Sequence, residues 1–263
     1  MRQRIVNVAV LCVTGLLLPV LLSVAACSGT PATPAAPGTR ASAAVPRASS
    51  MPGFTVTGVR PVLPNGSQDT HAQSGGAECD SVRFAVDKNL GEHIADGFAA
   101  ANFPAGAELL RHFLAGDGTA VNYLAGSRIS KLALASSAFQ AVNRQVQAAI
   151  ARQLKAGSTR VKLSARQLPT VTFSDTKSDL YWGFRGTQGL TVNGSGSQKS
   201  GRYVGTLTYV IRDSYGFPVD DTLDGFGPPM RYLQTVCGAP QYTGGSRWFP
   251  DTIAVTVPFD QPT

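Results

Sequence analysis

The 263-residue chain carries a modest excess of positive charge, with 23 Lys and Arg against 16 Asp and Glu. Its basic residues are scattered along the sequence rather than clustered, which argues against nucleic acid as a partner. An excess of this size suits a domain that works near anionic lipid headgroups or acidic wall polymers. The region after the first 52 residues has the length of one domain.

The first 26 residues have the pattern of a secretory signal. Arg2 and Arg4 precede an apolar run from Ile5 to Leu22, and small residues follow it. The run is nearly long enough to cross a bilayer, but Pro19 interrupts it and no positively charged stop follows. We therefore predict that residues 1–26 are a signal peptide, with a retained transmembrane anchor as the less favoured alternative.

The tetrapeptide Val24–Cys27 (VAAC) ends this segment and resembles the lipobox of bacterial lipoproteins. In that family the cysteine is acylated with diacylglycerol and the chain is cut just before it. The family usually has leucine where this chain has Val24. The resemblance implies lipidation at Cys27 and a domain anchored to the cell membrane on its outer side. Ordinary cleavage at the same bond, which would leave Cys27 as a plain thiol, is the open alternative.

The number of cysteines favours the lipid anchor. Cys12 lies in the predicted signal and would leave with it. Lipidation of Cys27 then leaves Cys79 and Cys237, an even pair that can form a disulfide in an oxidising compartment. Closing so long a loop would stabilise the domain by about 4–5 kcal/mol in the chain-entropy model.

The segment Ser28–Pro52 has little that can fold. Of its 25 residues, 21 are Ser, Thr, Pro, Ala or Gly, and none is acidic or aromatic. It lacks the apolar surface that would offset the entropy of ordering. We predict a lipidated cysteine and disordered tether over residues 27–52 and a loop-rich lead-in over 53–78. A single globular domain follows over 79–263.

Periodicity predicts helices first and strands later within this domain. Apolar residues recur at helical spacing over Ser137–Lys155, and Ala107–Leu114 has the pattern of a short helix. Alternating patterns predict strands at Arg160–Leu163, Thr170–Phe173, Leu190–Asn193, Arg202–Arg212 and Ile253–Phe259, and a further strand before the domain, in the lead-in, at Phe54–Val59. The expected fold is α+β, with a helical N-terminal half packed on an antiparallel β-sheet formed by the C-terminal half.

Candidate catalytic residues lie where the strongest predicted strand passes into a loop rich in Gly and Pro. The acidic residues there are Asp213, Asp220, Asp221 and Asp224. Two such carboxyls can supply the acid and base of glycoside cleavage. His112, which shares a helix face with Glu108, is a further acid–base candidate. The alternative is that Asp213 and Asp221 only make turn-type hydrogen bonds to backbone amides.

Candidate ligand-binding residues are aromatic or basic. Trp182, Arg185 and Trp248 lie in two aromatic-rich segments, and aromatic faces beside arginines suit sugar rings. Core packing of the tryptophans is the alternative. The sequence contains no HExxH and no CxxC, so we expect no metal site and no cofactor.

These observations favour an exported, lipid-anchored protein whose domain binds a cell-envelope glycan or an envelope protein. The alternative is a cell-envelope hydrolase that uses carboxylates of residues 213–224. The expected partners are the membrane, through Cys27, and material of the cell wall.

Overall fold

The computed structural model describes residues 53–62, 78–217, 226–238 and 245–263. All of them lie within one compact unit that runs from residue 49 to residue 263. The predicted signal peptide, the whole predicted tether with Cys27, and residues 63–77 of the predicted lead-in lie outside the described residues.

The described residues form an α+β fold. Its helices are α1 (Ser81–Ala100), α2 (Pro104–Ala115), α3 (Arg128–Ala135), α4 (Ser137–Lys155), α5 (Asp179–Phe184) and α6 (Gly227–Thr235), with a short 3-10 turn at Ala165–Gln167. Its strands are β1 (Gly53–Arg60), β2 (Val121–Tyr123), β3 (Arg160–Leu163), β4 (Gly189–Lys199), β5 (Arg202–Tyr215) and β6 (Phe249–Pro262).

Local signals set the ends of α4, the helix that the sequence marks most clearly. The Ser136 hydroxyl accepts the Phe139 backbone N–H at 3.2 Å, which satisfies one of the unpaired donors of the first turn. After Lys155 the chain reaches Gly157, whose φ of 85° is a conformation that glycine adopts without strain.

The sheet is mixed, and this corrects the expectation of an antiparallel one. Its strand order is β2-β6-β5-β4-β1-β3. The four central strands pair antiparallel, whereas β2 joins β6 and β3 joins β1 in parallel at the two edges. Parallel neighbours need a long crossover between them, and helices of the N-terminal half lie between β1 and β3.

Helices and strands are also less segregated along the chain than expected. β1 and β2 belong to the N-terminal half and take part in the sheet, and α5 and α6 belong to the C-terminal half. The segment Thr170–Phe173, predicted as a strand, forms only a single bridge from Thr172 to Gly186.

One face of the sheet carries the core and the other faces solvent. Along β6, Phe249, Ile253 and Val255 are buried, whereas Thr256 on the opposite face is exposed. Helices cover the buried face: the Phe139 ring of α4 lies 5.1 Å from the Tyr209 ring. This alternation is typical of an antiparallel sheet covered on one side.

The predicted disulfide is confirmed. The Cys79 and Cys237 sulfur atoms are 2.01 Å apart, and the bond joins the start of α1 to the residues after α6. Beside it, the Tyr232 hydroxyl accepts the Asp80 backbone N–H at 2.7 Å, and the Arg83 guanidinium lies 3.7 Å from the Tyr232 ring centre. The disulfide and these contacts hold α6 against α1.

Candidate functional site

Two carboxylic acids lie opposite each other on the core face of the sheet. Asp213 of β5 pairs in register with Asp251 of β6. Both continue the run of inward-facing positions that includes Ile211 and Ile253, which are buried. The strands therefore place two acids where the pattern of the sheet calls for apolar side chains. We call Asp213 and Asp251 the carboxyl pair.

The inner member of the carboxyl pair is fully enclosed. Asp251 is 1% exposed, and neither of its carboxyl oxygens has a hydrogen-bond partner among the residues that the structure describes. Removing an unpaired carboxylate from water is costly, and native folds contain few such groups. Asp213, as a whole residue, is half-buried.

Burial and proximity change the acidity of both groups. Burial raises the pKa of Asp213 to about 8, and a hydrogen bond from the Ser214 backbone N–H offsets this only in part. Burial also raises the pKa of Asp251, and the neighbouring charge of Asp213 raises it further. Two carboxyls in such positions do not readily ionise together. At neutral pH the pair therefore holds at least one proton.

A tyrosine and a third acid lie near the carboxyl pair. Tyr123 is on β2, which joins β6 on the side away from β5. Burial raises the pKa of the Tyr123 hydroxyl, and the charges of Glu108, Asp251 and Asp179 add to this. Glu108, on α2, is exposed. Tyr123 therefore lies beside Asp251, on the side of the pair away from Asp213, and Glu108 lies beside Tyr123.

His112 does not contact the carboxyl pair with its polar atoms. Its Nε2 atom lies 2.8 Å from the Thr119 carbonyl oxygen and 3.4 Å from an Asp117 carboxylate oxygen. Its ring meets the Phe249 ring edge-on, with centroids 4.4 Å apart. The structure therefore holds His112, in the last turn of α2, against the turn that follows this helix and against Phe249, which lies two positions before Asp251 in β6.

Asp251 is the residue that the sequence analysis missed. Asp220, Asp221 and Asp224 lie outside the described residues, so Asp213 is the one member of the predicted acidic cluster with a described position. The alternating pattern of β6 could have identified Asp251. Extending the apolar positions two residues back from Ile253 places Asp251 on the buried face.

The aromatic candidates lie in a different place. Trp182 of α5 is half-buried, and its indole N–H donates to the Thr176 carbonyl oxygen at 3.1 Å. Its ring lies 4.9 Å from the Phe98 ring and 5.0 Å from the Tyr181 ring. The Arg185 guanidinium, which is exposed, lies 5.3 Å from the centre of the Tyr181 ring. We call Tyr181, Trp182 and Arg185 the aromatic patch.

Trp248, the third predicted ligand-binding residue, lies beside Gly216. It immediately precedes β6, and its side chain lies so near Gly216 that a Cβ atom there would be 3.0 Å from the Trp248 Cβ. The Tyr181 ring contacts both Trp182 and Arg185, so the structure brings these two predicted ligand-binding residues together.

Two features are absent from the described part of the chain. Within residues 53–62, 78–217, 226–238 and 245–263, no group of three or more His, Cys, Asp or Glu side chains is arranged to hold a metal ion. No helix in these ranges has the length and hydrophobicity needed to cross a bilayer.

Comparison with known proteins found no relative of this chain: no family model, curated protein or solved structure matches it.

Proposed function

We propose that this chain is an exported lipoprotein, anchored at Cys27 to the outer side of the cell membrane, whose folded domain binds a cell-envelope glycan. The charged and apolar leader, the lipobox-like VAAC segment and the Ser/Thr/Pro/Ala-rich tether support the anchor. The disulfide supports an oxidising compartment, because such bonds are rare in the cytosol.

The aromatic patch is the observation that carries the binding role. Sugar rings pack their apolar faces on aromatic side chains, and their hydroxyls accept hydrogen bonds at the edges. Tyr181 and Trp182 offer half-buried rings, and the exposed Arg185 offers five N–H donors beside them. A guanidinium also binds carboxylate or phosphate groups, which suits an acidic wall polymer.

The scaffold under the aromatic patch is well suited to hold it in one conformation. The Asp179 carboxylate, at the start of α5, accepts the backbone N–H groups of Ala105 and Gly106 at 3.0 Å each. A Cβ atom at Gly106 would lie 2.9 Å from the Trp182 Cβ, so α2 approaches α5 closely. A rigid patch loses less entropy when it binds a ligand.

Co-sedimentation of the full chain, solubilised in detergent, with insoluble cell-wall polysaccharide tests this role. The variants are Tyr181→Ala and Arg185→Ala, and the matched control is Arg166→Ala, which removes an exposed arginine from the 3-10 turn. We expect each patch variant to bind about 10-fold more weakly, equivalent to about 1.4 kcal/mol. The Arg166 variant should bind like the wild type.

Two results would contradict the proposal. Equal binding by the wild type and all three variants would show that the aromatic patch does not bind the glycan. Binding that disappears when the wall material is treated with protease would identify an envelope protein, and not a glycan, as the partner.

A further inference from the structure

The face of the sheet opposite the core is open to solvent across its central strands. Its side chains there are short and polar, and they meet across strands: the Thr208 and Thr256 hydroxyl oxygens are 3.4 Å apart. The exposed polar residues of this face on β1, β4, β5 and β6 are Thr55, Thr57, Asn193, Ser195, Thr206 and Thr256. We call the outward residues of β1, β3, β4, β5 and β6 the outer sheet face.

The charged residues of the outer sheet face are almost all basic. The basic residues at its outward positions are Arg160, Lys162, Lys199, Arg202 and Arg212. Among the described strands the one outward acid is Asp260, whose carboxylate lies 2.6 Å from Nε of Arg202. The outer sheet face therefore carries a net positive charge, which complements an anionic partner.

The side chains of the outer sheet face favour an anionic bilayer over a glycan chain. No outward position of the described strands carries an aromatic side chain, because Phe54, Tyr209 and Phe259 all face the core. A sugar ring would have no aromatic partner on which to stack. A surface several strands wide, with basic side chains among short hydroxyl side chains, instead matches the extended negative charge of lipid headgroups.

We propose that the outer sheet face docks on the anionic headgroups of the membrane, a proposal that rests on the lipid anchor at Cys27. Twenty-five residues separate Cys27 from Gly53, the first residue of β1 and an exposed outward residue of the same face. A flexible coil of that length spans about 30 Å. The anchor would thus keep the outer sheet face close to the bilayer, where weak attraction between basic residues and headgroups suffices to orient the domain.

Docking through the outer sheet face leaves the aromatic patch free to bind. The helix that carries the patch, α5, packs on the core side of the sheet. Its buried Phe184 ring lies 5.6 Å from the ring of Tyr123, which pairs with the inward-facing Ile253. With the outer sheet face on the bilayer, the helices and the aromatic patch therefore point toward the cell wall.

Fluorescence quenching at a vesicle surface tests this proposal. The lipidated full chain carries a fluorophore on Asn193→Cys, in the outer sheet face, or on Gln145→Cys, an exposed position of α4 that serves as the matched control. Vesicles of phosphatidylcholine alone, or of phosphatidylglycerol and phosphatidylcholine in equal parts, carry a quencher on the headgroups. We expect the Asn193→Cys label to be quenched much more in the anionic vesicles than in the neutral ones. The Gln145→Cys label should be quenched equally little in both.

Removal of two basic residues tests the electrostatic cause. Arg160→Gln combined with Lys162→Gln should lower the ratio of docked to undocked chain by about 30-fold, since each basic residue near an anionic surface contributes about 5-fold. Arg144→Gln combined with Arg152→Gln removes two exposed arginines of α4 and should leave the ratio unchanged.

The quenching result is separable from the anchor on which the proposal rests. Flotation with the neutral vesicles reports the anchor at Cys27, because these vesicles offer no net charge to the outer sheet face. In the anionic vesicles, equal quenching of the Asn193→Cys and Gln145→Cys labels overturns the docking proposal, whether or not the chain floats. Quenching that persists unchanged after the loss of Arg160 and Lys162 overturns it as well.

Two further results would assign the outer sheet face to another partner and so overturn the proposal. The first is binding of polygalacturonate that the loss of Arg160 and Lys162 weakens, without quenching in anionic vesicles, which would identify an acidic glycan. The second is self-association of the chain in detergent that the same change abolishes, again without quenching, which would identify a second copy of this chain.

Discussion

The Arg128 guanidinium lies 2.6 Å from the Asp179 carboxylate, which is buried at the start of α5. The same carboxylate accepts the backbone N–H groups of Ala105 and Gly106, so one side chain ties α3 and the first turn of α2 to α5. A buried carboxylate with three donors is well compensated for the loss of water.

Replacement of Asp179 by Ala should therefore destabilise the domain strongly. The change leaves two buried N–H groups of α2 without a partner and removes the ion pair with Arg128. We expect a loss of about 2–6 kcal/mol in the free energy of unfolding, measured by urea denaturation, because each buried N–H group left without a partner costs about 1–3 kcal/mol. Arg202→Ala is the control because its ion pair with Asp260 is exposed, and it should cost no more than about 1 kcal/mol. Equal losses in the two variants would contradict this account of Asp179.

Removal of the disulfide should also lower stability. The Cys79–Cys237 bond joins residues 158 positions apart, so it restricts the unfolded chain considerably. Replacement of both cysteines by serine should cost about 2–5 kcal/mol in the free energy of unfolding. Urea denaturation of the wild type with and without a reducing agent measures the same quantity without mutation. An unchanged midpoint in both comparisons would show that the bond contributes nothing.

The carboxyl pair should lower the free energy of unfolding as pH rises, because the pKa of an aspartate is raised on folding. The pKa of Asp213 in the folded protein is raised to about 8, from about 3.9 for an ordinary aspartate. Between these values the folded protein binds more protons than the unfolded chain. The contribution of the pair to stability is therefore present at low pH and is lost as pH rises through this window.

Asp251→Asn should reduce this dependence, because it removes a carboxyl whose pKa in the folded protein is raised by burial and by the charge of Asp213. Thermal unfolding at about pH 5 and about pH 8 measures the effect, and each 1 kcal/mol corresponds to about 2–4 °C in Tm. We expect the wild type and a control, Asp260→Asn, which removes an exposed acid of the same strand, to lose more stability at the higher pH than Asp251→Asn does. The same pH dependence in all three proteins would show that the pair does not hold a proton.

The proposed lipid anchor predicts the effect of a single substitution outside the described residues. Cys27→Ser removes the thiol that the lipobox-like segment presents for acylation. A membrane anchor of this kind holds a protein through buried CH₂ groups, each worth about 0.8 kcal/mol. We expect labelled palmitate to be incorporated into the wild type and not into the variant, and the variant to leave the membrane fraction. Equal labelling of the two proteins would contradict lipidation at Cys27.

Sequence patterns predict much of this fold where local periodicity and burial agree. The helix at Ser137–Lys155 was predicted with the bounds that the structure has, because its apolar residues recur at helical spacing between a serine cap and a glycine. The Cys79–Cys237 bond was predicted because these are the two cysteines that remain once Cys12 leaves with the predicted signal and Cys27 is lipidated.

The sequence analysis did not predict α1, the longest helix of the described residues, because the residues on its buried face do not form an apolar pattern. Asp87, Gly91 and Ala95 are buried, whereas Val82 and Val86 are exposed. At Gly91 a Cβ atom would lie 2.8 Å from the Leu114 side chain, so close packing on α2 is what places this face inward. That contact is tertiary, and no periodicity within α1 indicates it.

The candidate site was predicted only in part for a similar reason. Asp213 was singled out by its position at a strand end, but its neighbour Asp251 lies 38 residues further along the chain. Their pairing depends on the register of β5 with β6, which sequence patterns do not specify between distant strands. The parallel pairing of β2 with β6 and of β3 with β1, at the two edges of the sheet, was not predicted for the same reason.

Saturation binding of the full chain to protein-free cell-wall polysaccharide tests the central claim most directly. The bound fraction is measured as the glycan concentration rises, with the Arg185→Ala variant measured in parallel. The account predicts saturable binding by the wild type and a dissociation constant about 10-fold higher for the variant. Binding that does not saturate, or that is the same for both proteins, would contradict the assignment of this domain as a glycan-binding module.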